Sequence, residues 1–160
     1  MSLETVRAFF AAHAPDIEII VTPTSSATVA LAAEAHKVAP EQIAKTICLR
    51  VADRTVLVVM AGTMRLDNKK SRETFGAKPR MLDPDDVVAA TSHPVGGVCP
   101  FGLPTPLSIY CDVSLQAFTI VVPAAGATNA AVRIAPQQLA ELTHAEWVDV
   151  CQSPQPVAAA

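Results

Sequence analysis

Two β-rich runs, residues 45–51 (KTICLRV) and 55–61 (TVLVVMA), stand on either side of a short polar turn at Asp53-Arg54. Valine, isoleucine and threonine are stiff at χ1 and suit a pleated sheet better than a helix. With so few residues between them, the two runs are expected to fold back on each other as a hairpin in the centre of a sheet. The remaining segments are placed around that hairpin.

At 160 residues the chain fits one domain and can bury roughly two-thirds of its unfolded surface. Its hydrophobic content of 51% and charged content of 17% exclude a disordered chain. Aromatics are scarce, so Val, Ile, Leu and Ala must fill the core. Leu3, Val6, Phe10 and His13 recur at helical spacing after Ser2, which predicts a first helix ended by Pro15. Residues 17–21 read as a short strand, and Ser25 or Ser26 caps an alanine-rich helix through about His36. Beyond the hairpin, Asp67 caps a polar helix over 68–75, and Asp83-Pro84 opens another over 85–90. Strands are expected at 107–111, 118–122, 131–134 and 147–150, with a helix over 136–142. Strands and helices intermix without a regular βαβ period, so the fold class is α+β, a single domain over 1–152 with a mixed sheet. The Pro/Ala-rich tail 153–160 is expected to fray.

The N-terminus lacks the basic start and apolar run of a signal peptide. The longest apolar run, 56–62, falls far short of the about 20 residues that span a bilayer. A cytoplasmic protein with no membrane partner is expected. The four cysteines form no C-x-x-C and the four histidines no H-E-x-x-H, so the thiols are expected reduced, with no metal and no cofactor. A net charge of −3 argues against a general nucleic-acid binder, though a local basic face could still dock a backbone.

Such a face is available. Residues 65–80 hold Arg65, Lys69, Lys70, Arg72, Lys78 and Arg80, half of the chain's twelve basic residues, against Asp67 and Glu73. They read either as a solvated helix face or as a patch that attracts a polyanion. Lys45, at the start of the hairpin, also admits two readings. Its stem can lie along apolar surface with the ammonium in water, or the ammonium can face a cleft and hold a phosphate or polarise a carbonyl.

The segment 95–102 (VGGVCPFG) carries three glycines and a proline, with Pro94 and Pro104 on its flanks. Glycine opens backbone conformations and close approach, and proline stiffens the same loop. It is either a tight turn or a rigid loop that holds a ligand with main-chain N–H groups. His93 is a pocket-lining polar group or an ordinary loop histidine. Cys99 has no motif that would supply a base, so a nucleophile reading is disfavoured. Asp112 either ends a strand or orients Lys45.

Lys45, the stretch 66–72 (LDNKKSR) with Phe75-Gly76-Ala77, the stretch 96–102 (GGVCPFG), the strand 107–112, and Ala125-Gly126 before Val132-Arg133-Ile134 occur in that order. Together they resemble the YbaK/ProX family of aminoacyl-tRNA editing domains over about residues 22–150. The resemblance implies a mixed, mostly antiparallel β-sheet surrounded by helices. It implies hydrolysis of the ester between a wrong amino acid and the 3′ end of a tRNA, with Lys45 as the functional lysine and Gly96 to Pro100 as the G-x-x-x-P substrate loop. Main-chain N–H groups of Gly96, Gly97 or Val98 would stabilise the developing oxyanion, and Pro100 would hold the loop's shape. His93, Cys99, Pro100, Phe101 and Asp112 would bound the substrate, and Lys69, Lys70, Arg72, Lys78 and Arg80 would meet the tRNA.

The chain departs from the family pattern at Ser92, where Gly is common, at His93, where Tyr is frequent, and at Cys99, often Ser. These positions bear on which amino acid is accepted. The expected substrate is a small amino acid such as alanine, cysteine or serine, on tRNA(Pro), edited in trans. The acceptor end of tRNA and an aminoacyl-tRNA synthetase are the expected partners. A non-catalytic module on the same fold, binding a small molecule or a synthetase, is the alternative.

Overall fold

The computed structural model describes residues 2–153, so all of the expected tail except Ser153 lies outside the described residues. The chain runs α1 (Ser2–His13), β1 (Ile20–Val21), α2 (Val29–His36), β2 (Ile43–Val51), β3 (Arg54–Ala61), β4 (Arg65–Leu66) and α3 (Asn68–Phe75). It continues through β5 (Arg80–Met81), α4 (Pro84–Thr91), β6 (Ser108–Asp112), β7 (Val122–Pro123), β8 (Ala130–Ala131), α5 (Pro136–Thr143), β9 (Glu146–Val148) and β10 (Cys151–Gln152). The architecture is α+β, with a mixed sheet and helices on both faces.

The hairpin forms as expected. β2 and β3 pair antiparallel over eight positions, from Ala44 opposite Ala61 to Val51 opposite Arg54. The turn is Ala52-Asp53, one residue earlier than the sequence suggested, with Ala52 at φ 55°. β6 lies parallel on the outer edge of β3, and β9 parallel on β6. The outer edge of β2 has two short partners. β7 runs parallel to it at Ile43 and Ala44, and β5 antiparallel at Leu49 and Arg50.

Between those two partners lies a gap. The Leu82 N–H reaches the Cys48 carbonyl at 3.5 Å, so Cys48 turns its main-chain groups toward this edge. Alternation along a strand turns those of Thr46 the same way, with no strand beside them. This gap is where the candidate site forms.

Three apolar clusters close the two faces of the sheet. The largest takes Val6 and Phe10 from α1, Val87 from α4, Leu139 from α5, and Leu57, Val59 and Cys111 from the sheet. The opposite face packs Leu49, Val56, Val58 and Met60 against Phe75 of α3 and the 148–151 segment. A third, smaller cluster seats Ala32 and Ala33 of α2 on Ile43, Val122 and Ala131. The small side chains of α2 let it lie close to the strands.

Several boundaries differ from expectation. The run 118–122 is not a strand; a 3-10 turn over Val113–Ala117 precedes it and only Val122–Pro123 joins the sheet. Asp112 caps that turn by accepting the Ser114 N–H at 2.9 Å, and this tertiary arrangement overrides the β propensity of Thr119-Ile120-Val121. The alanine-rich helix starts at Val29 under a Thr28 cap whose hydroxyl accepts the Leu31 N–H at 3.1 Å. Ser26 instead bonds the Thr128 carbonyl. No helix among the described residues is long and apolar enough to cross a membrane.

Asp112 is buried at 1% exposure and also accepts the Val150 N–H at 2.9 Å. It therefore ties β6, the 3-10 turn and the last segment together, rather than standing free to orient Lys45. Asp112→Ala leaves two N–H groups without their acceptor, at about 1–3 kcal/mol for each buried group. A loss of about 3 kcal/mol in urea unfolding at pH 7 is the expected result.

Candidate active site

A pocket of about 340 Å³ opens on the gap in the edge of β2. Residues 43–48 form its floor, the start of α2 one wall, α4 and the residues after β5 the other, and Gly96 with Val98 its roof. Lys45, Gly96 and Val98 are thus brought together from segments far apart in sequence. The geometry of the roof explains its glycines. Gly96 has φ 92°, and a Cβ there would come within 2.9 Å of the Ala27 side chain. At Gly97 a Cβ would meet the main chain of Ala127 at 2.8 Å.

Gly97 itself is fully engaged. Its N–H donates to the Pro94 carbonyl at 2.8 Å, and its carbonyl accepts the Gly126 N–H at 3.0 Å. It shapes the loop and does not offer a donor to the pocket. The N–H groups of Gly96 and Val98 have no acceptor among the described residues and remain available.

Lys45 is half-buried, and its ammonium donates to the Met64 carbonyl. Burial pushes its pKa down, opposed by the nearby Cys151 thiol. An ammonium partly out of water exerts a stronger field on an anion than a solvated one does. No histidine, aspartate or glutamate lines the pocket among the described residues.

The other loop residues are elsewhere. His93, Cys99 and Phe101 are all at 0% exposure, behind the loop rather than in the pocket. The Phe101 carbonyl can only accept, so His93 Nε2 carries the proton it receives at 2.8 Å. His93 Nδ1 is then the acceptor for the Ser2 hydroxyl, which docks the start of α1. Cys99 Sγ lies 3.5 Å from His93 Nε2, a neighbour that spacing alone did not reveal. Yet burial pushes the Cys99 thiol up to about 12, and the nitrogen is already committed to Phe101. Phe101 packs against Phe10 with ring centroids 4.7 Å apart. Pro100 lines a second depression, of about 460 Å³, with Phe9 and Leu103. These four residues and Asp112 therefore support the loop and core, and the structure does not bring them to the candidate pocket.

Among the basic residues, Lys69, Arg72, Lys78 and Arg80 are exposed. Lys70 is tied down, donating to Asp149 at 3.0 Å and to the Cys151 carbonyl at 3.1 Å. Its hydrogen bond to Asp149 raises its pKa. Sequence reasoning missed Thr46, whose main chain borders the pocket, and Arg50, beside its far end. The signal for Thr46 was its position next to Lys45 on an edge strand.

The profile of the aminoacyl-tRNA editing domain matches residues 23–142, the segment that builds this pocket. The chain belongs to that family. It is 45% identical over 154 residues to the uncharacterized protein YwhH of Bacillus subtilis (strain 168), covering 95% of this chain and 98% of that protein. It is 36% identical over 122 residues to a proline–tRNA ligase of Solidesulfovibrio magneticus, covering 74% of this chain and 20% of the ligase. A solved structure described as a candidate trans-editing enzyme for prolyl tRNA synthetase superposes with a TM-score of 0.88 at 29% identity, covering 95% of this chain and 98% of that one.

The buried loop supports make two predictions. Phe101→Ala removes a fully buried ring and is expected to cost about 3–5 kcal/mol in denaturant unfolding. His93 has its pKa pushed below the ordinary 6.5 by burial, against the opposing bond to Phe101. The unfolded chain then takes up the proton first as pH falls. Stability is flat above 6.5 and declines below it. His36 is shifted the same way by burial and by Arg133, so His93→Gln should flatten this decline without removing it. Urea unfolding at pH 7.5 and 5 checks both the slope and its reduction.

Proposed function

We propose that this protein removes a wrongly attached small amino acid from tRNA by hydrolysing its ester, acting in trans. The observation that carries the reading is the pocket where the Lys45 edge of β2 meets the Gly96–Val98 roof, in a chain of the aminoacyl-tRNA editing family. Action in trans is supported by the likeness along nearly the whole length of both YwhH and the candidate trans-editing enzyme. The cytoplasm, where tRNAs are charged, is the corresponding location. The likeness to a proline–tRNA ligase favours tRNA(Pro) as the carrier and a prolyl-tRNA synthetase as the partner enzyme.

An aminoacyl ester is already activated, so the protein's task is mainly to stabilise the oxyanion and position water. The free N–H groups of Gly96 and Val98 suit the developing oxyanion. Lys45 supplies positive charge to it or to the terminal phosphate. Among the described residues no carboxylate or histidine lines the pocket, and the likeness to the editing family implies that the ribose hydroxyl next to the ester helps to orient the water. The floor of β2 and the Gly/Val roof restrict the space for a side chain, favouring alanine, serine or cysteine. Size alone discriminates by only about 1–3 kcal/mol per methylene.

The test is ester loss from alanyl-, cysteinyl-, seryl- and threonyl-tRNA followed against a no-enzyme control. Hydrolysis of at least one small-residue ester is expected, and inactivity on all four would sink the reading. Lys45→Ala should lower kcat/KM by about 100-fold or more while leaving the unfolding midpoint close to that of the wild type. The same pocket, without an acid or imidazole in its wall among the described residues, also suits a non-catalytic module that binds a small molecule or a synthetase. In that case there is no hydrolysis for Lys45→Ala to abolish. For the exposed basic residues, charge reversal at Lys69 and Arg72 is expected to raise KM for the charged tRNA more than it lowers kcat, with weaker dependence of KM on salt.

A further inference from the structure

Arg50 and Arg80 stand directly opposite each other where β5 joins β2. Residues so paired hold their Cβ atoms roughly 5 Å apart on one face of the sheet, and like charges in that position repel. Among the described residues neither guanidinium has a carboxylate in ion-pair contact, the nearest acids in sequence, Asp53 and Asp83, included. Arg50 Nε is buried with no hydrogen-bond partner at all. The two-pair ladder between β5 and β2 thus sets two arginines without carboxylate partners side by side.

The pair sits at the end of the candidate pocket. Cys48, two residues before Arg50 and on the same face of β2, lines that pocket, and so do Met81 and Leu82, which follow Arg80. Burial raises the Cys48 pKa while the Arg50 charge pulls it back, which reflects how close the guanidinium lies.

We propose that Arg50 and Arg80 form a phosphate clamp at the pocket's edge, gripping an internucleotide phosphate of the single-stranded RNA end whose terminal ester enters the pocket. The proposal rests on the editing reading for the identity of that RNA. A phosphate between the two arginines turns their repulsion into two attractions, and the planar guanidinium fork matches phosphate oxygens in paired hydrogen bonds. It also gives Arg50 Nε the acceptor that it lacks. The clamp sets the direction of the strand. From the pocket the RNA leaves over the β2–β5 end of the sheet, toward Lys78.

The test uses the full chain and three probes: the trinucleotide CCA, adenosine and inorganic phosphate. Each is titrated into wild-type protein, Arg50→Gln and Arg80→Gln. Each substitution should weaken CCA relative to adenosine by about fivefold and lower the slope of log affinity against log salt by about one. In deacylation, each should raise KM for aminoacyl-tRNA relative to aminoacyl-adenosine. Equal weakening of CCA and adenosine would make the arginines mere supports of the pocket and overturn the clamp. Unchanged CCA affinity would overturn it too. Inorganic phosphate that binds as tightly as CCA, and needs both arginines, would assign the pair to a free phosphate and likewise reject the RNA clamp. A wild-type protein that deacylates no ester removes the editing reading, whereas the CCA–adenosine comparison still decides the clamp.

Discussion

β2 is paired along one edge through eight positions with β3, but on its other edge only at its two ends. An unpaired strand edge presents main-chain donors and acceptors that must be covered or used. Here α2, α4 and the glycine loop arch over the gap instead of closing it, and the uncovered interval becomes the floor of a pocket. The long β2–β3 ladder makes this possible, because it holds β2 straight without help from the far side. The same ladder holds the backbone at Lys45 opposite Met60. Lys45 belongs to a strand whose neighbours Ala44 and Cys48 are buried in the core.

The roof depends on a different set of contacts. Gly96 and Gly97 come so close to Ala27 and Ala127 that any side chain would collide. Behind them the loop is fastened by His93, which bridges Ser2 and the Phe101 carbonyl, and by the packing of Phe101 on α1. The polar residues of the loop are therefore spent on its own shape, and the N–H groups of Gly96 and Val98 stay without an acceptor among the described residues. That division suits oxyanion stabilisation, which needs donors fixed before the charge develops.

Much of the fold was legible in the sequence because local and tertiary preferences agreed there. The hairpin, the Asp67-capped helix and the helix opened by Pro84 all follow from propensity and capping. The run 118–122 does not follow its β propensity because the chain enters it from the 3-10 turn capped by Asp112 and joins a strand only at Val122. The short strands β4, β5 and β10 left no periodic signal, being two residues each. For the site, Lys45 and the glycine loop could be named from sequence because glycine carries a geometric meaning wherever it lies. Whether His93, Cys99 and Phe101 faced the pocket or the core could not be read, since a tight loop carries no period to assign its faces. Arg50 was invisible for a related reason. Its significance comes from the residue opposite it, thirty positions away and across a ladder of two pairs.

A protein with a net charge of −3 can still hold a polyanion if its positive charges are gathered in one place. The structure separates those charges by exposure and by partners. Lys70 is bound to Asp149 and the Cys151 carbonyl, where it secures α3 to the end of the chain. Lys69, Arg72 and Lys78 remain exposed and can meet phosphates in solvent, where each contact is weak and screened by salt. Lys45 and Arg50 are partly withdrawn from water, where a single charge acts more strongly on whatever anion reaches it. In the proposed editing role, the exposed cations would capture a charged RNA end through many weak, long-range attractions, and the few cations that the fold has partly desolvated would place the ester.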